Sequence, residues 1–203
     1  FKDLESVKHI SKKAAKRTVS RLGARKIGTS QIPVIFEAPV ASGLFSAFIT
    51  AISGSSLYRR ASFLLDKKGE QVFASHINIT EKPDIKEGLG TRPFDSEGVK
   101  TSEKHIIEGG VLNTFLLDTY SASQLKSKST GNSGYTNILI ESSKKMLNDL
   151  IGSVDEGILV TERMGAGANM LTGDYSRGAF GYLIEKGKIS YPVTNFTIAS
   201  NMI

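Results

Sequence analysis

The 203-residue sequence predicts an α+β domain, β-rich, built from antiparallel hairpins with a few packed helices. Three observations predict it. From Gln71 onward apolar residues recur with a period of two, the signature of half-buried strands. Two pairs of such runs are joined by dipeptides suited to tight hairpins, Gly109-Gly110 and Lys186-Gly187. Helical spacing and helix-packing residues concentrate before these strands, with two shorter helical stretches between them, which favours α+β over a regular βαβ alternation.

The first element is a basic helix. Leu4, Val7, Ile10, Ala14, Thr18 and Leu22 recur every three to four residues, and Gly23 stands where a C-cap belongs. Residues 1–26 carry nine basic side chains (Lys2, Lys8, Lys12, Lys13, Lys16, Arg17, Arg21, Arg25, Lys26) against Asp3 and Glu5. That segment is +7 and the whole chain +6, so the remainder is −1. The pattern opens in mid-helix. It predicts that residues 1–26 are the end of a helix linking to a missing N-terminal domain, and that 27–203 form the β-rich domain. Charge confined to one helix reads as a solvated face rather than a nucleic-acid surface.

Pro33–Glu37 predicts a short strand. Pro39 suits the first turn of a helix over Val40–Ser53. Its small residues (Ala41, Ser42, Gly43, Ser46, Ala47, Ala51) predict burial against a sheet or a partner. Leu57–Leu65 predicts a second short helix and Val72–Thr80 a strand. Lys82–Gly98 reads as a long loop, of a length that often carries function. Glu103–Glu108 and Val111–Asp118 flank the Gly-Gly turn. Thr119–Lys126 reads as helix, Lys128–Gly134 as a loop of turn residues, Tyr135–Glu141 as strand, Lys144–Ile151 as helix and Gly157–Thr161 as strand. Gly173–Gly178 predicts a glycine-flanked polar loop bearing Asp174 and Arg177. The strands Ala179–Glu185 and Lys188–Val193 follow, and Asn195–Ala199 closes the chain's β-structure.

Composition narrows the chemistry. Hydrophobic residues make up 39% and charged residues 23%, ordinary for a globular domain. No apolar run reaches the roughly 20 residues of a membrane span; Val34–Ile52 comes nearest and is broken by Glu37, Pro39 and Ser42. The chain has no Cys, which excludes disulfides and thiolate metal sites and fits a cytoplasmic setting. His9, His76 and His105 fall on three separate elements, the last two within predicted strands, without the spacing of a zinc site. No GxSxG is present, and Ser42 and Ser133 read as helix-packing and turn residues, against a serine hydrolase. KSTGNSG (128–134) and RMGAGAN (163–169) match neither phosphate-binding pattern and read as turns. Asp155-Glu156 reads as a solvated acidic pair at a helix end.

The order of residues says more. GARKIGTSQIPVIFEAPVASGLF, SLYRRASFLLDKKGEQVF, GLGTRPFDSEGV, STGNSG and TGDYSRGAFGYLIEKGKISYPV occur in this order from about Arg21 to the end. Together they resemble the TldD/PmbA family and, within it, the PmbA (TldE) branch. The resemblance implies a cytoplasmic protein linked to proteolysis of peptides and small, poorly folded proteins, in a family also described as modulators of DNA gyrase. It implies a length about twice this one, so the chain would be a C-terminal domain cut before its natural end.

It further implies a HExxxH zinc helix in the TldD branch, absent from PmbA-type chains, which assemble with TldD into a heterodimeric metalloprotease. The zinc helix aligns with Glu37-Ala38-Pro39-Val40-Ala41-Ser42-Gly43-Leu44, which has no histidine. The expectation is therefore no catalytic or metal-ligating residue in this chain, and zinc in the partner subunit. The loops Thr130–Gly134 and Asp174–Gly178 are candidate walls of a substrate chamber, with Asn132, Ser133, Asp174, Tyr175, Ser176 and Arg177 as candidate substrate-binding residues; the alternative is turns that only shape the fold. The expected partners are a TldD-type subunit and an extended peptide, with no membrane. Two further readings stay open: a regulator of a DNA-linked target acting through the basic helix, and a homodimer joined through the helix at 40–53.

Overall fold

A computed structural model describes residues 4–203 apart from Lys144 and Ala166. Lys2 and Asp3 of the basic segment, Lys144 at the expected helix start and Ala166 of RMGAGAN lie outside the described residues. The chain forms two compact units, and the division falls inside single elements of secondary structure. The first comprises Phe1–Ser42, Lys145–Ala166 and Ser176–Ala199; the second comprises Gly43–Lys144, Gly167–Tyr175 and Ser200–Ile203.

The first unit is organised by a four-stranded sheet in the order β1-β6-β7-β8. These strands are β1 (Val34–Phe36), β6 (Glu156–Met164), β7 (Asp174–Glu185) and β8 (Lys188–Asn201). Successive side chains of β6 point to opposite faces, as the pleat requires. Ile158 and Val160 pack with Val40, Ala179, Leu183 and Val193, whereas Leu159 packs with Ile151 and Ile184. β7 and β8 turn through Lys186 and Gly187, both at positive φ (51° and 71°), the backbone of a type I′ hairpin. The Lys186 amide donates to the Asp155 carbonyl and the Gly187 amide to the Val154 carbonyl, at 2.6 and 3.0 Å, so the turn is also tied to the loop before β6.

One pairing departs from the expected hairpins. β1 runs parallel to β6, with Val34 opposite Ile158 and Phe36 opposite Val160. Residues 37–155 lie between the two strands, and parallel neighbours always need such a crossover. Turn dipeptides report local pairing only, so this contact left no signal in the sequence.

Helix α1 (Val7–Val19) begins at Ser6, whose Oγ accepts from the His9 amide at 3.2 Å. No residue of α1 is buried. Helix α5 is Leu147–Gly152, starting later than the expected Lys144–Ile151 and ending one residue beyond it.

The second unit holds an antiparallel sheet in the order β4-β3-β2-β5. Its strands are β2 (Ile79–Lys82), β3 (Lys104–Glu108), β4 (Val111–Leu112) and β5 (Asn137–Ile140). Helices α2 (Ala38–Ala51), α3 (Gly54–Tyr58) and α4 (Thr119–Gln124) complete the helix set. The core gathers Phe48, Ile52 and Leu64 against Ile79, Ile106 and Ile107. The burial expected of the small-residue helix is met in its C-terminal half: Phe48, Ile49, Ala51 and Ile52 are all buried.

Other expectations shorten. Of Val72–Thr80 only Ile79 and Thr80 are strand. The Val72 and Phe73 amides both donate to the Gly110 carbonyl, at 2.9 and 3.0 Å, which bends this stretch around the β3–β4 turn and leaves His76 in a turn. Gly110 permits it: a Cβ there would collide with the Phe73 carbonyl. The predicted helix Leu57–Leu65 ends at Tyr58 because Arg60 enters the left-handed region (φ 55°). Phe63 and Leu64 then leave the helix line and fill the core.

Candidate functional site

The STGNSG loop is built on a buried acid. Glu81 sits two residues after Ile79 on β2, on the face that points into the protein, and is fully buried. An ionised carboxylate can stay there only with donors around it. Asn132 Nδ2 donates to Oε1 and Oε2 at 3.0 and 2.9 Å. The amide and hydroxyl of Thr136 donate to Oε1 at 2.7 and 2.9 Å. Lys104 Nζ, nearly buried on β3, reaches Oε2 at 3.0 Å. Asn132 Oδ1 in turn accepts from the Thr130 hydroxyl at 2.8 Å. One carboxylate thus fastens both ends of the segment 130–136.

Asp95 fastens the same loop to the long segment after β2. Its Oδ1 accepts from the amides of Glu97 and Val99, and its Oδ2 from the amide of Ser133, all at 2.9 Å. Burial alone would raise its pKa; the three amides, aided by Arg92, outweigh burial and hold the carboxyl below its ordinary value. Loop 83–98 is therefore ordered by side-chain anchors rather than by a strand. Gly90 donates to Asn137 Oδ1 at 2.8 Å and Thr119 to Glu97 Oε2 at 2.8 Å. The ordered loop shows Leu89 and Phe94 to solvent.

The second candidate segment is not a loop. Asp174–Gly178 is the start of β7, and its side chains alternate. Tyr175 is buried; Asp174 and Ser176 are exposed; Arg177 is half-buried. Gly173, at φ 79°, makes the turn instead. Asp174 accepts from the Thr172 hydroxyl at 2.6 Å and from Asn201 Nδ2 at 3.0 Å, and these two bonds, Thr172 first, lower its pKa against a small opposing effect of burial. The partners of Asn132 and Ser133 are Glu81 and Asp95; those of Asp174 are Thr172 and Asn201. Glu81, Lys104, Asp95 and Thr136, which anchor the 130–136 loop, are not among the candidate residues the sequence offers. The readable signal was Glu81 itself, an acid at the core-facing parity of INITEK.

The helix after β1 decides what this chain can do with metal. α2 offers no His, Cys, Asp or Glu along Ala38–Ala51. Glu37, just before it, is bound in bidentate fashion by Arg17 Nη2 at 2.6 and 2.7 Å. Zinc needs nitrogen, sulfur or carboxylate ligands at about 2.0–2.3 Å, so this helix does not fit the ion. Among the described residues no group of three or more His, Cys, Asp or Glu is placed to hold a metal. His105 Nδ1 lies 3.2 Å from the Thr80 hydroxyl, and His9 is 3.9 Å from Glu5 on the exposed helix. No helix among the described residues is long and apolar enough to cross a membrane.

Residues 29–203 match the family described as PmbA/TldA metallopeptidase C-terminal domain. The chain is 45% identical over 204 residues to a Metalloprotease PmbA homolog of Haemophilus influenzae, covering 100% of this chain and 45% of that protein. It is 44% identical over 201 residues to Metalloprotease PmbA of Escherichia coli O157:H7, covering 98% and 45%. A Metalloprotease TldD homolog of Buchnera aphidicola is only 27% identical over a comparable span. A solved Bacteroides thetaiotaomicron structure, described as a modulator of DNA gyrase, superposes with a TM-score of 0.96 at 36% identity, over 100% of this chain and 46% of that one. TldE from Thermococcus kodakarensis gives 0.81 at 29%, over 96% and 47%. The chain spans about half the length of the curated relatives it matches.

Proposed function

We propose a role on the premise that this chain belongs to the PmbA/TldA metallopeptidase family, through that family's C-terminal domain and on its PmbA side. It acts as the zinc-free subunit of a two-chain metalloprotease in the cytoplasm. It completes the chamber in which a TldD-type partner, which carries the metal, cleaves extended peptides and small unfolded proteins. The observation that carries this is α2. The helix that would present two histidines in a zinc subunit here offers only Ala, Pro, Ser, Gly, Thr and larger apolar side chains.

Substrate presentation fits the sheets. β5 is the last strand of its sheet, and Leu139 and Ile140 on it are exposed. An extended peptide can add to such an edge through main-chain hydrogen bonds, which is indifferent to sequence and suits unfolded substrates. In this reading Ser133, Asp174, Ser176 and Arg177 belong to the chamber wall. Asn132 and Tyr175, both buried, act by holding the segments that form it.

Co-purification of the full-length protein with the TldD-type chain of its organism tests the proposal. Cleavage of an unfolded peptide is expected only from the pair, and a chelator should abolish it. Stoichiometric zinc in this chain alone, together with peptidase activity, overturns it. A second reading, regulation of a DNA-linked target, draws on the gyrase-modulator description of the Bacteroides thetaiotaomicron neighbour. It requires salt-dependent binding of duplex DNA that disappears when Lys12, Lys13, Lys16 and Arg17 are neutralised; absence of binding at low salt ends it.

A further inference from the structure

Helix α1 is docked the wrong way round for an ordinary amphipathic helix. Its apolar positions face water: Val7 is 80% exposed, and Leu4 and Leu22, just beyond its ends, 70% and 74%. The cationic side turns inward over the sheet of the first unit. Arg17 reaches Glu37, Arg21 reaches Glu162 at 2.9 Å and lies over the Phe180 ring at 4.4 Å, and Ser20 shares a 2.6 Å hydrogen bond with the Tyr182 hydroxyl. Burial of Val7 and Ile10 would ordinarily decide how such a helix sits. Here ion pairs tie the cationic side of the helix to Glu37 and Glu162.

The space between helix and sheet is a cavity of about 320 Å³, within the range of small-ligand sites. Three kinds of group line it. The floor is apolar: Leu159, Phe180 and Tyr182. Acceptors stand at the side, the carboxylates of Glu37 and Glu162 and the hydroxyl of Thr161. At the rim are Lys13 and Lys16. The two arginines are matched one for one by the two glutamates. Lys13 has a 3.6 Å partner in Glu5, half-exposed and outside the cavity lining, and Lys16 has no ion-pair partner among the described residues. The rim therefore keeps positive charge to spare beside an apolar floor.

From this geometry we infer that the α1 cavity binds the carboxyl end of a short peptide whose last residue is apolar. The carboxylate meets Lys13 and Lys16, the last side chain lies against the half-buried Tyr182, next to the Phe180 ring that Arg21 already covers, and the peptide N–H groups donate toward Glu37, Glu162 or Thr161. A simple anion would use only the rim, and a neutral apolar molecule only the floor; a C-terminal residue uses all three. The inference stands on the cavity alone, because binding is read without turnover and without a partner subunit.

The probe is N-acetyl-Ala-Phe as the free acid, compared with its C-terminal amide, by calorimetry or amide chemical shifts on the full-length protein. The acid should bind about tenfold more tightly than the amide, since a charge-assisted contact is lost in the amide. The preference should vanish in the Lys13→Gln/Lys16→Gln double variant, whose sites lie on an exposed helix, and persist in Lys67→Gln, a control on the exposed Lys67–Glu70 pair. Equal binding of acid and amide overturns the inference, as does no binding of either. Inorganic phosphate competing as well as the acid peptide, or N-acetyl-Ala-Gly binding as well as the Phe peptide, reduces the site to an anion rim and overturns it too.

Discussion

Glu81 shows how one side chain can set the geometry of a loop. Its carboxylate collects donors from Asn132, Thr136 and Lys104 and is closed to solvent. Removing one side of a buried, hydrogen-bonded charge pair leaves the rest uncompensated. Glu81→Ala should cost about 3–5 kcal/mol in denaturant unfolding and should loosen 130–136, read as faster amide exchange there. Asp95 is the second anchor, and its contribution depends on pH. Its folded-state pKa lies below the ordinary 3.8, so its stabilisation is present above that value and is lost as pH falls through the folded pKa. Asp95→Asn, which sets an amide donor against backbone donors, should cost about 1–3 kcal/mol at pH 7. The gap to the parent in urea midpoint should begin to narrow near pH 4 and keep closing below it. Both residues are acids in sequence; only their burial shows them to be anchors.

Elements divide by whether their cause is local. The Lys186-Gly187 turn was legible because its dipeptide needs positive φ at both positions and has it. Gly187→Ala puts a Cβ at φ 71° and within 3.0 Å of the Gly152 carbonyl oxygen, so a loss of roughly 1–2 kcal/mol is expected in thermal unfolding. α1 was legible by its spacing, but the spacing misleads about its docking, since the apolar stripe it marks is the exposed one. Ser6→Ala removes the cap from a helix with no buried residue. It should speed amide exchange in the first turns of α1 by the equivalent of about 1 kcal/mol and leave the global unfolding midpoint unchanged. The Asp174–Gly178 stretch went the other way. Its glycines and charges suggested a loop, yet Tyr175 and Ala179 are buried, and the strand that pairs with β6 from Gly178 onward extends back through the stretch, with Tyr175 bridged to Ala168. Polar residues on the open face of a strand look like loop residues until the partner strand is known.

For the whole molecule the decisive fact is an absence of ligand chemistry along α2. Millimolar zinc should leave the thermal midpoint of the isolated chain unchanged, because an ion stabilises only the state that binds it; an upward shift of several degrees, reversed by chelator, contradicts this. The order of residues alone determined the α+β class, the two hairpin turns, the small-residue helix and the family, because periodicity, turn chemistry and motif order are written along the chain. The tertiary structure alone decided that β1 runs parallel to β6 across 37–155, that Glu81 and Asp95 hold the STGNSG loop, and that α1 turns its charges inward over a cavity. Each of these is a contact between residues far apart in sequence, fixed by which face is buried and which charge finds a partner, and no local pattern encodes that choice.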